Sequence, residues 1–443
     1  MKGNRMKKLV VYNTSVLKPD MTIERNQTVE VKNGVFTAIR PYRAGEEEQV
    51  PKAGDDESLE GIGKLLMPGL CDSHMHTGQQ LLKGRILDEL PMIWTRIMLP
   101  FESTLDEKKM ELSAKLAALE MIRSGTTAFV DAGSYYMEAA ADVYVKSGLR
   151  GLLSASTMDD ASLPDSIRQT ADEAVAQTDR LYKAYNGKEN LKVAYSLRSL
   201  ISCSEELIQK AGTHARERDA ILQAHMNEYP NEVNYFLQKK QMRPLEYLES
   251  LQVLEENFLA AHSILLSENE KEILKKYHVN VCHCPFSNCG KGIPDTPALL
   301  QKDVNVGLGT DGAAHGGLSL WNEMKILRSV MNVGRGVPIG EAAIMPAKTV
   351  IRMATENGYK AMHVKGGRIE PGQAADFITI DLRQPHLYPT GNLVNTLLEC
   401  VTAADVCDTV TAGKILMKNR VVLTLDEEKI LSEAEAYMEK LEG

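Results

Sequence analysis

Short apolar runs alternate with amphipathic stretches through the middle of the chain. Helical periodicity is clear, for example, at 105–123 and 269–277. Apolar runs of strand length lie near 65–72, 127–131, 149–154, 192–196, 220–225, 258–262, 279–284 and 304–310. Strands that alternate with helices predict βα units and a parallel sheet. Eight of them in series predict an α/β fold built on a closed (β/α)8 TIM barrel rather than an open sheet.

Two glycines mark predicted helix ends. Gly125 and Gly148 each follow an amphipathic stretch and directly precede an apolar run. A glycine just beyond a helix adopts the left-handed backbone conformation that ends it, because glycine lacks a Cβ atom. We therefore expect a helix to stop and a barrel strand to start at each position.

The opening segment predicts strands and turns. Two short runs at 28–32 and 35–40 flank Asn33-Gly34, a dipeptide that favours the type I′ turn of a β-hairpin. The acidic, glycine-containing stretch at 44–60 is interpreted as a surface excursion before the first barrel strand.

The closing segment becomes β-rich again after residue 366. Gly366-Gly367 and Pro371-Gly372 precede a short apolar strand at 376–381, and a charged helical stretch at 426–441 is expected to pack on the surface. Neither end of the chain is long enough for a core of its own. We predict that 1–65 and 367–443 pair into one small composite β-sandwich domain beside a hydrolase barrel at 66–366.

Composition narrows the class of ligand. The 443 residues are 43% hydrophobic and 25% charged, which is ordinary for a globular protein. A net charge of -9 disfavours nucleic acid as a partner and leaves a small molecule as the expected ligand. No apolar run approaches the ~18 residues of a membrane span, so we expect no membrane association and a cytoplasmic location. Seven thinly spread cysteines predict reduced thiols.

Histidines and one aspartate fall where the barrel strands are predicted to end. They are His74 and His76 after the first strand, His225 at the fifth, His262 at the sixth, His283 at the seventh and Asp311 at the eighth. Active sites of this fold lie at those strand ends. In an extended segment, His74 and His76 face the same side and can bind one ion. This pair alone is a weak signal, and the other strand-end residues strengthen it.

The residue types indicate a metal-assisted hydrolysis. Histidine nitrogens with one carboxylate suit Zn²⁺, with Fe²⁺ and Mn²⁺ as alternatives. A bound cation lowers the pKa of its water to about 7. Glu228, three residues after His225, is placed to take a proton from that water and deliver it to a leaving nitrogen.

Two other zinc motifs are excluded by spacing. The chain has no His-Glu-x-x-His of a zinc protease and no His-x-Glu with Pro-Cys-x-x-Cys of a cytidine-deaminase site. We interpret Cys282, Cys284 and Cys289 as packing residues. His315, just past Asp311, is a candidate for substrate contact. The other histidines are expected to be structural or on the surface: His214, His278, His363 and His386.

Six motifs together resemble one enzyme family. They are MPGLCDSHMH at 67–76, LKG at 82–84, HMNE at 225–228, AH at 261–262, HCPFSN at 283–288 and GTDG at 309–312. With them, the chain resembles the amidohydrolase superfamily, in the branch of S-adenosylhomocysteine/5-methylthioadenosine deaminases, guanine deaminases and triazine hydrolases. The segment GGRIEPGQAAD at 366–376 resembles the return into that family's β-domain.

The resemblance implies roles for individual residues. It implies one divalent metal per chain, held by His74, His76, His225 and Asp311. Glu228 would shuttle protons, His262 would orient the attacking hydroxide, and Asp311 would also act as a base. Apart from the resemblance, His283 and His315 are our candidates for contact with substrate. The family's usual assemblies lead us to expect a homodimer or homotetramer.

The substrate stays open among several rings. Glu228 favours deamination, because expelling ammonia needs a proton and expelling chloride does not. The leading hypothesis is deamination of S-adenosylhomocysteine, 5-methylthioadenosine or 5′-deoxyadenosine. The alternatives are a guanine- or pterin-type deaminase and a triazine hydrolase. A catalytically silent scaffold is disfavoured, because every expected ligand position is filled.

Arg198 departs from the adenosine-type pattern. Adenosine-type members of the branch commonly carry histidine there, whereas guanine deaminases carry arginine before a run similar to SCSE at 202–205. A guanidinium only donates hydrogen bonds. Arg198 could therefore contact the oxo edge of a guanine-like ring, hold the carboxylate of S-adenosylhomocysteine while Asp88 or Glu89 binds ribose hydroxyls, or form a salt bridge at the surface.

Overall fold

A computed structural model describes residues 8–49, 57–90 and 93–442. Its strands fall into a β-domain and a barrel. The β-domain strands are β1 (Lys8–Leu17), β2 (Ile23–Lys32), β3 (Val35–Pro41), β4 (Glu57–Glu60), β5 (Lys64–Pro68), β16 (Phe377–Asp381), β17 (Val406–Thr411), β18 (Lys414–Lys418) and β19 (Val421–Val422). The barrel strands are β6 (Leu70–His76), β7 (Thr126–Asp131), β8 (Arg150–Leu153), β9 (Leu191–Val193), β10 (Tyr195–Leu197), β11 (Leu222–Met226), β12 (Phe258–His262), β13 (Asn280–His283), β14 (Val306–Leu308) and β15 (Asp311–Gly312).

Helices fill most connections between the barrel strands, follow the last of them and close the chain. They are α1 (Leu99–Glu102), α2 (Glu107–Ser124), α3 (Met137–Ser147), α4 (Ala171–Tyr185), α5 (Glu205–Glu217), α6 (Pro230–Lys240), α7 (Pro244–Ser250), α8 (Glu268–Lys276), α9 (Pro285–Asn288), α10 (Thr296–Gln301), α11 (Leu320–Met331), α12 (Ala347–Met353), α13 (Glu356–Ala361), α14 (Leu393–Glu399) and α15 (Glu427–Glu442). Among the described helices, none is long and apolar enough to cross a membrane.

The predicted barrel is confirmed, and its strands are all parallel. They form two ladders, β15-β6-β7-β8-β9 and β10-β11-β12-β13-β14. The ladders meet at Ala194, where the fourth predicted strand changes partner. The Ala194 amide donates to Leu153 of β8, and the next amide, of Tyr195, donates to Ile221 beside β11. The barrel closes where β15 pairs with β6.

Three predicted strands are divided in the structure. The first, at 65–72, splits at Gly69 into β5 and β6, so His74 and His76 lie within a strand rather than after one. β5 belongs to the β-domain and runs across the boundary we predicted at residue 65. The fourth divides into β9 and β10 at Ala194, where the change of partner described above occurs. The eighth divides into β14 and β15 at the bend before Asp311. A continuous apolar run does not show where a chain leaves one sheet for another.

The ends of the chain pair into one β-domain, as predicted. Its nine strands form a single hydrogen-bonded sheet in which β5 joins the N-terminal strands to β16. The hairpin of β2 and β3 turns at Asn33 and Gly34, both with positive φ. The excursion predicted at 44–60 is wrong for its last four residues, which form β4 and pair with β1. Residues 50–56 lie outside the described residues.

Glycine ends the helices where the sequence predicted it. Gly125 follows α2 with φ 86° and Gly148 follows α3 with φ 83°. The final helix, α15, packs on α2 through ion pairs such as Lys115–Glu433. The helical and strand bounds agree with the predicted elements to within a few residues.

The lower part of the barrel is packed solid. Small and apolar side chains from successive strands meet there, including Cys71, Val130, Leu152, Leu259 and Cys282. This packing gives the barrel a floor, so an open space can exist only toward the carboxyl ends of the strands. None of the seven cysteines is in a disulfide. Cys289 is exposed, so its interpretation as a packing residue is wrong.

A buried ion pair joins the barrel to the β-domain. Arg150, the first residue of β8, donates two hydrogen bonds to Asp376, at 2.6 and 3.1 Å. Asp376 also accepts from the Tyr359 hydroxyl and from the Ala412 amide. This contact lies at the end of the barrel away from the histidines.

Candidate active site

The predicted metal ligands come together at the carboxyl ends of the strands. His76 Nε2 lies 3.2 Å from His225 Nε2 and 3.4 Å from Asp311 Oδ1. His74 Nε2 lies 3.8 Å from the same Asp311 oxygen. Four atoms bonded tetrahedrally at about 2.0–2.1 Å from one ion lie about 3.3 Å apart. These separations therefore suit a single small divalent ion.

Unpartnered nitrogens support the same conclusion. Both ring nitrogens of His74 are buried without a hydrogen-bond partner, as is Nε2 of His262. A buried polar atom without a partner costs free energy unless a ligand satisfies it. Ligand atoms of two sets, His74 with His76 and His225, and His74 with His262 and Asp311, lie within 4.8 Å of one another. The donor set fits a divalent cation.

Burial keeps the imidazoles neutral. Burial lowers the pKa of His74 to about 3, and it lowers the pKa of His76 and of His225 well below the usual value. Burial would raise the pKa of Asp311, but that pKa lies well below its usual value, chiefly because the Lys291 ammonium is close by. At neutral pH the site therefore offers neutral imidazole nitrogens and a charged carboxylate, which are the forms that bind metal.

Asp72 connects the first and last barrel strands beside the ligands. Its carboxylate accepts hydrogen bonds from the Thr310 amide and hydroxyl, at 3.1 and 2.6 Å, and from the His74 amide at 3.3 Å. Burial raises the pKa of Asp72 to about 7, against these hydrogen bonds. Because Thr310 precedes Asp311, Asp72 sets the distance between His74 and Asp311.

Backbone geometry at two strand ends directs side chains into the site. Asp311 has φ 61° and His262 has φ 67°, both in the left-handed region that non-glycine residues rarely adopt. Gly312 follows Asp311, and its amide donates to Asp311 Oδ1 at 2.8 Å. A Cβ atom at Gly312 would meet the Gln79 amide oxygen at 1.6 Å, so a larger residue there would require the Gln79 side chain to move.

Glu228 and His262 lie side by side at the edge of the ligand set. Glu228 Oε1 is 3.6 Å from His262 Nε2. His262 Nδ1 donates to the Asn288 side-chain oxygen at 3.0 Å, which directs Nε2 toward the site. The loop that carries Glu228 is held by Glu232, which accepts from the amides of Asn227 and Glu228 at 3.1 and 3.0 Å.

The side chains around the ligands enclose a cavity. Glu228, Arg198 and His315 contribute to its wall, together with aromatic and apolar residues such as Trp94 and Met98 of the segment that covers it. Its lining is His76, Gln79, Trp94, Met98, Arg198, Ser199, Ile201, His225, Glu228, Tyr229, Asn231, Glu232, Lys291, Asp311 and His315. An outer chamber continues from it past Tyr229, Lys291 and His315, and is lined mainly by apolar residues.

Arg198 is buried, so the surface interpretation is wrong. Its side chain pairs with Glu102 at 2.7 Å and is 2% exposed, while that of Glu102 is fully buried. Arg198 Nη1 also donates to the Gly133 carbonyl at 2.8 Å and lies 2.9 Å from His76 Nδ1. Arg198 therefore lies against His76, a candidate metal ligand, at the inner end of the cavity.

The other predicted substrate residues are placed differently. Glu89 is at the outer chamber and pairs with Arg96 at 3.6 Å. Asp88 is exposed and is not among the residues that line the cavity. His283 is fully buried, lies 2.9 Å from Thr296 through Nδ1, and is also not part of the lining.

Sequence reasoning missed four residues of the site. Gln79 donates to Glu102 at 2.8 Å, so Gln79, Glu102 and Arg198 form one cluster. Burial raises the pKa of Glu232 to about 8. Burial lowers the pKa of Lys291, but Glu228 and Asp311 outweigh it and raise that pKa above its usual value. A polar residue three positions after His76 was a signal for Gln79, whereas Glu102, Glu232 and Lys291 lie in no recognisable pattern.

Comparison with known proteins agrees with this geometry. The amidohydrolase family matches residues 65–416. The chain belongs to the amidohydrolase family. It is 32% identical to 5′-deoxyadenosine deaminase of Methanosphaera stadtmanae, over 86% of this chain and 89% of that protein. It is 31% identical to 5-methylthioadenosine/S-adenosylhomocysteine deaminase of Pyrococcus horikoshii, over 96% of each chain.

A solved structure extends the likeness to three dimensions. Adenosine deaminase from Xanthomonas campestris with bound zinc superposes with a TM-score of 0.89, at 25% identity, over 98% of each chain. The predicted family and fold are therefore confirmed, and the candidate metal ligands of this amidohydrolase lie together at the ends of the barrel strands.

The ligand geometry predicts about one divalent metal ion per chain. Asp311→Asn and His225→Ala should each lose the ion and all turnover, because each removes an atom needed to hold it. Metal content by mass spectrometry of purified and chelator-treated protein measures the first effect.

Asp408→Asn is the matched control for Asp311→Asn. Asp408 is also a buried aspartate, but it lies in the β-domain and binds Lys64 at 2.8 Å. The control should keep its metal. Full activity in metal-free wild-type protein would contradict the assignment.

Proposed function

We propose that this amidohydrolase is a hydrolytic deaminase that releases ammonia from an aminated purine-type ring, with an adenosine derivative as the first candidate substrate. The relatives named above act on 5′-deoxyadenosine and on 5-methylthioadenosine or S-adenosylhomocysteine, according to their names. The observation that carries the proposal is Glu228, a carboxylate in the cavity wall beside the metal ligands. It can supply the proton that an amine needs in order to leave.

Different side chains bind the metal ion and transfer protons in the proposed reaction. A divalent metal at His74, His76, His225 and Asp311 would supply a nucleophilic water at neutral pH. Zinc is the metal we propose, since nitrogen ligands with one carboxylate suit it. Water adds to the ring carbon that bears the amino group, and that carbon–nitrogen bond then breaks to release ammonia.

Protons move through residues on one side of the cavity. Glu228 takes one proton of the water and delivers it to a ring nitrogen. The second proton, released from the added hydroxyl as it becomes the ring carbonyl, passes to the departing amine. His262 accepts a hydrogen bond through Nε2, which orients the attacking water. The solid packing beneath the ligands and the covering residues Trp94 and Met98 keep bulk water from the ring.

Ammonia release from a panel of rings tests the proposal. Zinc-loaded protein is incubated with 5′-deoxyadenosine, 5-methylthioadenosine, S-adenosylhomocysteine, guanine, an aminopterin and a triazine. We expect the highest kcat/KM with one of the adenosine derivatives. Hydrolysis of the triazine without activity on any purine would contradict the proposal.

Glu228→Gln should lower kcat at least about 10²-fold while the metal content stays unchanged. Glutamine keeps the shape of the side chain but cannot exchange a proton at neutral pH. Rates are compared with wild-type protein at equal metal loading. A mutant that deaminates at the wild-type rate would show that another group carries the proton.

A second candidate, deamination of an oxo-bearing ring of the guanine type, is favoured by one observation. The cluster at the inner end of the cavity offers both hydrogen-bond donors and acceptors. In the cavity lining Arg198 donates, while the side-chain oxygen of Gln79 is a buried acceptor without a partner. Glu102, which is not part of that lining, accepts from both side chains and holds them together. An oxo group beside a ring N–H presents the complementary pair, and adenine presents no such ring N–H.

Arg198→Met distinguishes these candidates. Since Arg198 lies at the inner end of the cavity, we expect no selective loss for S-adenosylhomocysteine over 5-methylthioadenosine, which lacks the amino-acid tail. If the ring is of guanine type, kcat/KM for guanine should fall about 10–100-fold, the scale of a lost charged hydrogen bond. Steady-state kinetics at matched metal content measures both effects.

Arg150→Met is the control, because it removes another arginine from a buried ion pair, at the opposite end of the barrel. It should leave the substrate profile unchanged. A loss confined to S-adenosylhomocysteine would place Arg198 at the tail and contradict its assignment to the ring.

A further inference from the structure

Lys291 is a buried lysine in the wall of the active-site cavity. It follows α9, and its side chain is 5% exposed. A lysine is rarely buried unless carboxylates surround it. The carboxylates beside Lys291 are those of Glu228 and Asp311. Both have assigned roles in the reaction, which makes Lys291 more than a packing residue.

The Lys291 ammonium reaches both carboxylates. Nζ lies 2.6 Å from Glu228 Oε1 and 3.6 Å from Asp311 Oδ2. It also donates to the Ser287 hydroxyl at 2.6 Å, and that hydroxyl donates to Asp311 Oδ2 at 2.5 Å. Lys291 therefore contacts Glu228 directly and acts on Asp311 mainly through Ser287.

These contacts separate the two oxygens of Asp311. Oδ1 faces His74 and His76 and accepts from the Gly312 amide. Oδ2 faces the other way, toward Ser287 and Lys291. A rotation of the carboxylate that brought both oxygens to the ion would break the contacts of Oδ2. Lys291 and Ser287 therefore favour binding of the ion through one oxygen.

Glu228 is held in the same manner, by one of its oxygens. Oε1 accepts from Lys291, and the same atom lies 3.6 Å from His262 Nε2. A carboxylate whose one oxygen is held in a charged hydrogen bond keeps its orientation, and its other oxygen remains for a reacting group. The charge of Lys291 also offsets the repulsion between two carboxylates brought close together in a buried site.

We propose that Lys291 is a positioning residue that holds Glu228 and Asp311 by one oxygen each, so that their remaining oxygens serve the substrate and the metal ion. The part that concerns Glu228 rests on the proposed deamination. The part that concerns Asp311 does not, because it can be observed on the metal ion alone.

Cobalt substitution tests the effect on Asp311. The visible absorption of protein-bound Co²⁺ depends on the number and geometry of its ligands. In Lys291→Met, released Asp311 can turn both oxygens to the ion, so we expect the Co²⁺ bands to change in position and intensity, with about one ion still bound per chain. Ser287→Ala should produce a change of the same kind, since it removes the relay to Oδ2 without removing a buried charge.

Lys271→Met is the matched control. Lys271 is 6% exposed and pairs with two carboxylates, Glu268 and Asp295, but it lies on α8 outside the cavity lining. Its replacement should leave the Co²⁺ spectrum unchanged. Should Lys291→Met fail to fold, Ser287→Ala and the control still decide the question.

Kinetics tests the effect on Glu228. With the best substrate of the panel, Lys291→Met should lower kcat about 10–100-fold, the usual scale for loss of a group that orients a ligand, while KM changes less than about threefold. Lys291→Arg should restore part of kcat, because it returns a cation to the carboxylates. A Co²⁺ spectrum identical to wild type in both Lys291→Met and Ser287→Ala, or an unchanged kcat in Lys291→Met, would overturn the proposal. If wild-type protein deaminates nothing, the proposed function fails, and the spectra still decide the role of Lys291 toward Asp311.

Discussion

Closure of the barrel is the constraint on which the rest of the site depends. Asp311 pairs with Met75 in the ladder between β15 and β6, and the Asp72 carboxylate binds Thr310 across the same seam. Without this seam, His74 and Asp311, 237 positions apart in the chain, would have no reason to share an ion. The first and last strands of the barrel must meet before the metal ligands can do so, and the floor of packed apolar side chains then limits the open space to the ends that carry them.

The site combines features that would destabilise an ordinary protein interior. Histidine nitrogens are buried without partners, and two carboxylates lie near each other with little solvent. Each of these costs free energy in the absence of a ligand or a countercharge. The Lys291 cation offsets the repulsion between the two carboxylates. The unpartnered histidine nitrogens would be satisfied by a bound metal ion. Binding energy for the ion and stability of the fold are therefore linked.

The sequence contained most of the fold and the centre of the site. The apolar periodicity predicted the eight strands, and the strand ends predicted where His225, His262 and Asp311 would lie. In this fold the active-site residues lie at the strand ends irrespective of loop conformation, so the spacing along the sequence was sufficient to predict these three positions. It was not sufficient for Glu102 or Lys291, whose positions depend on how loops pack. Asp88 and Glu89 show the converse, since acidic residues near a motif need not face the cavity.

The buried pair of Glu102 and Arg198 constrains how this amidohydrolase can change its substrate. Glu102 comes from the segment that covers the cavity, Arg198 from the end of the fourth barrel strand, and Gln79 joins them from the turn after β6. Replacing the arginine alone by an uncharged residue would leave a carboxylate buried without its countercharge. A substitution at position 198 is therefore destabilising unless position 102 changes as well. Relatives that bind a different ring should therefore differ at positions 102 and 198 together, as a correlated pair visible in an alignment of the family.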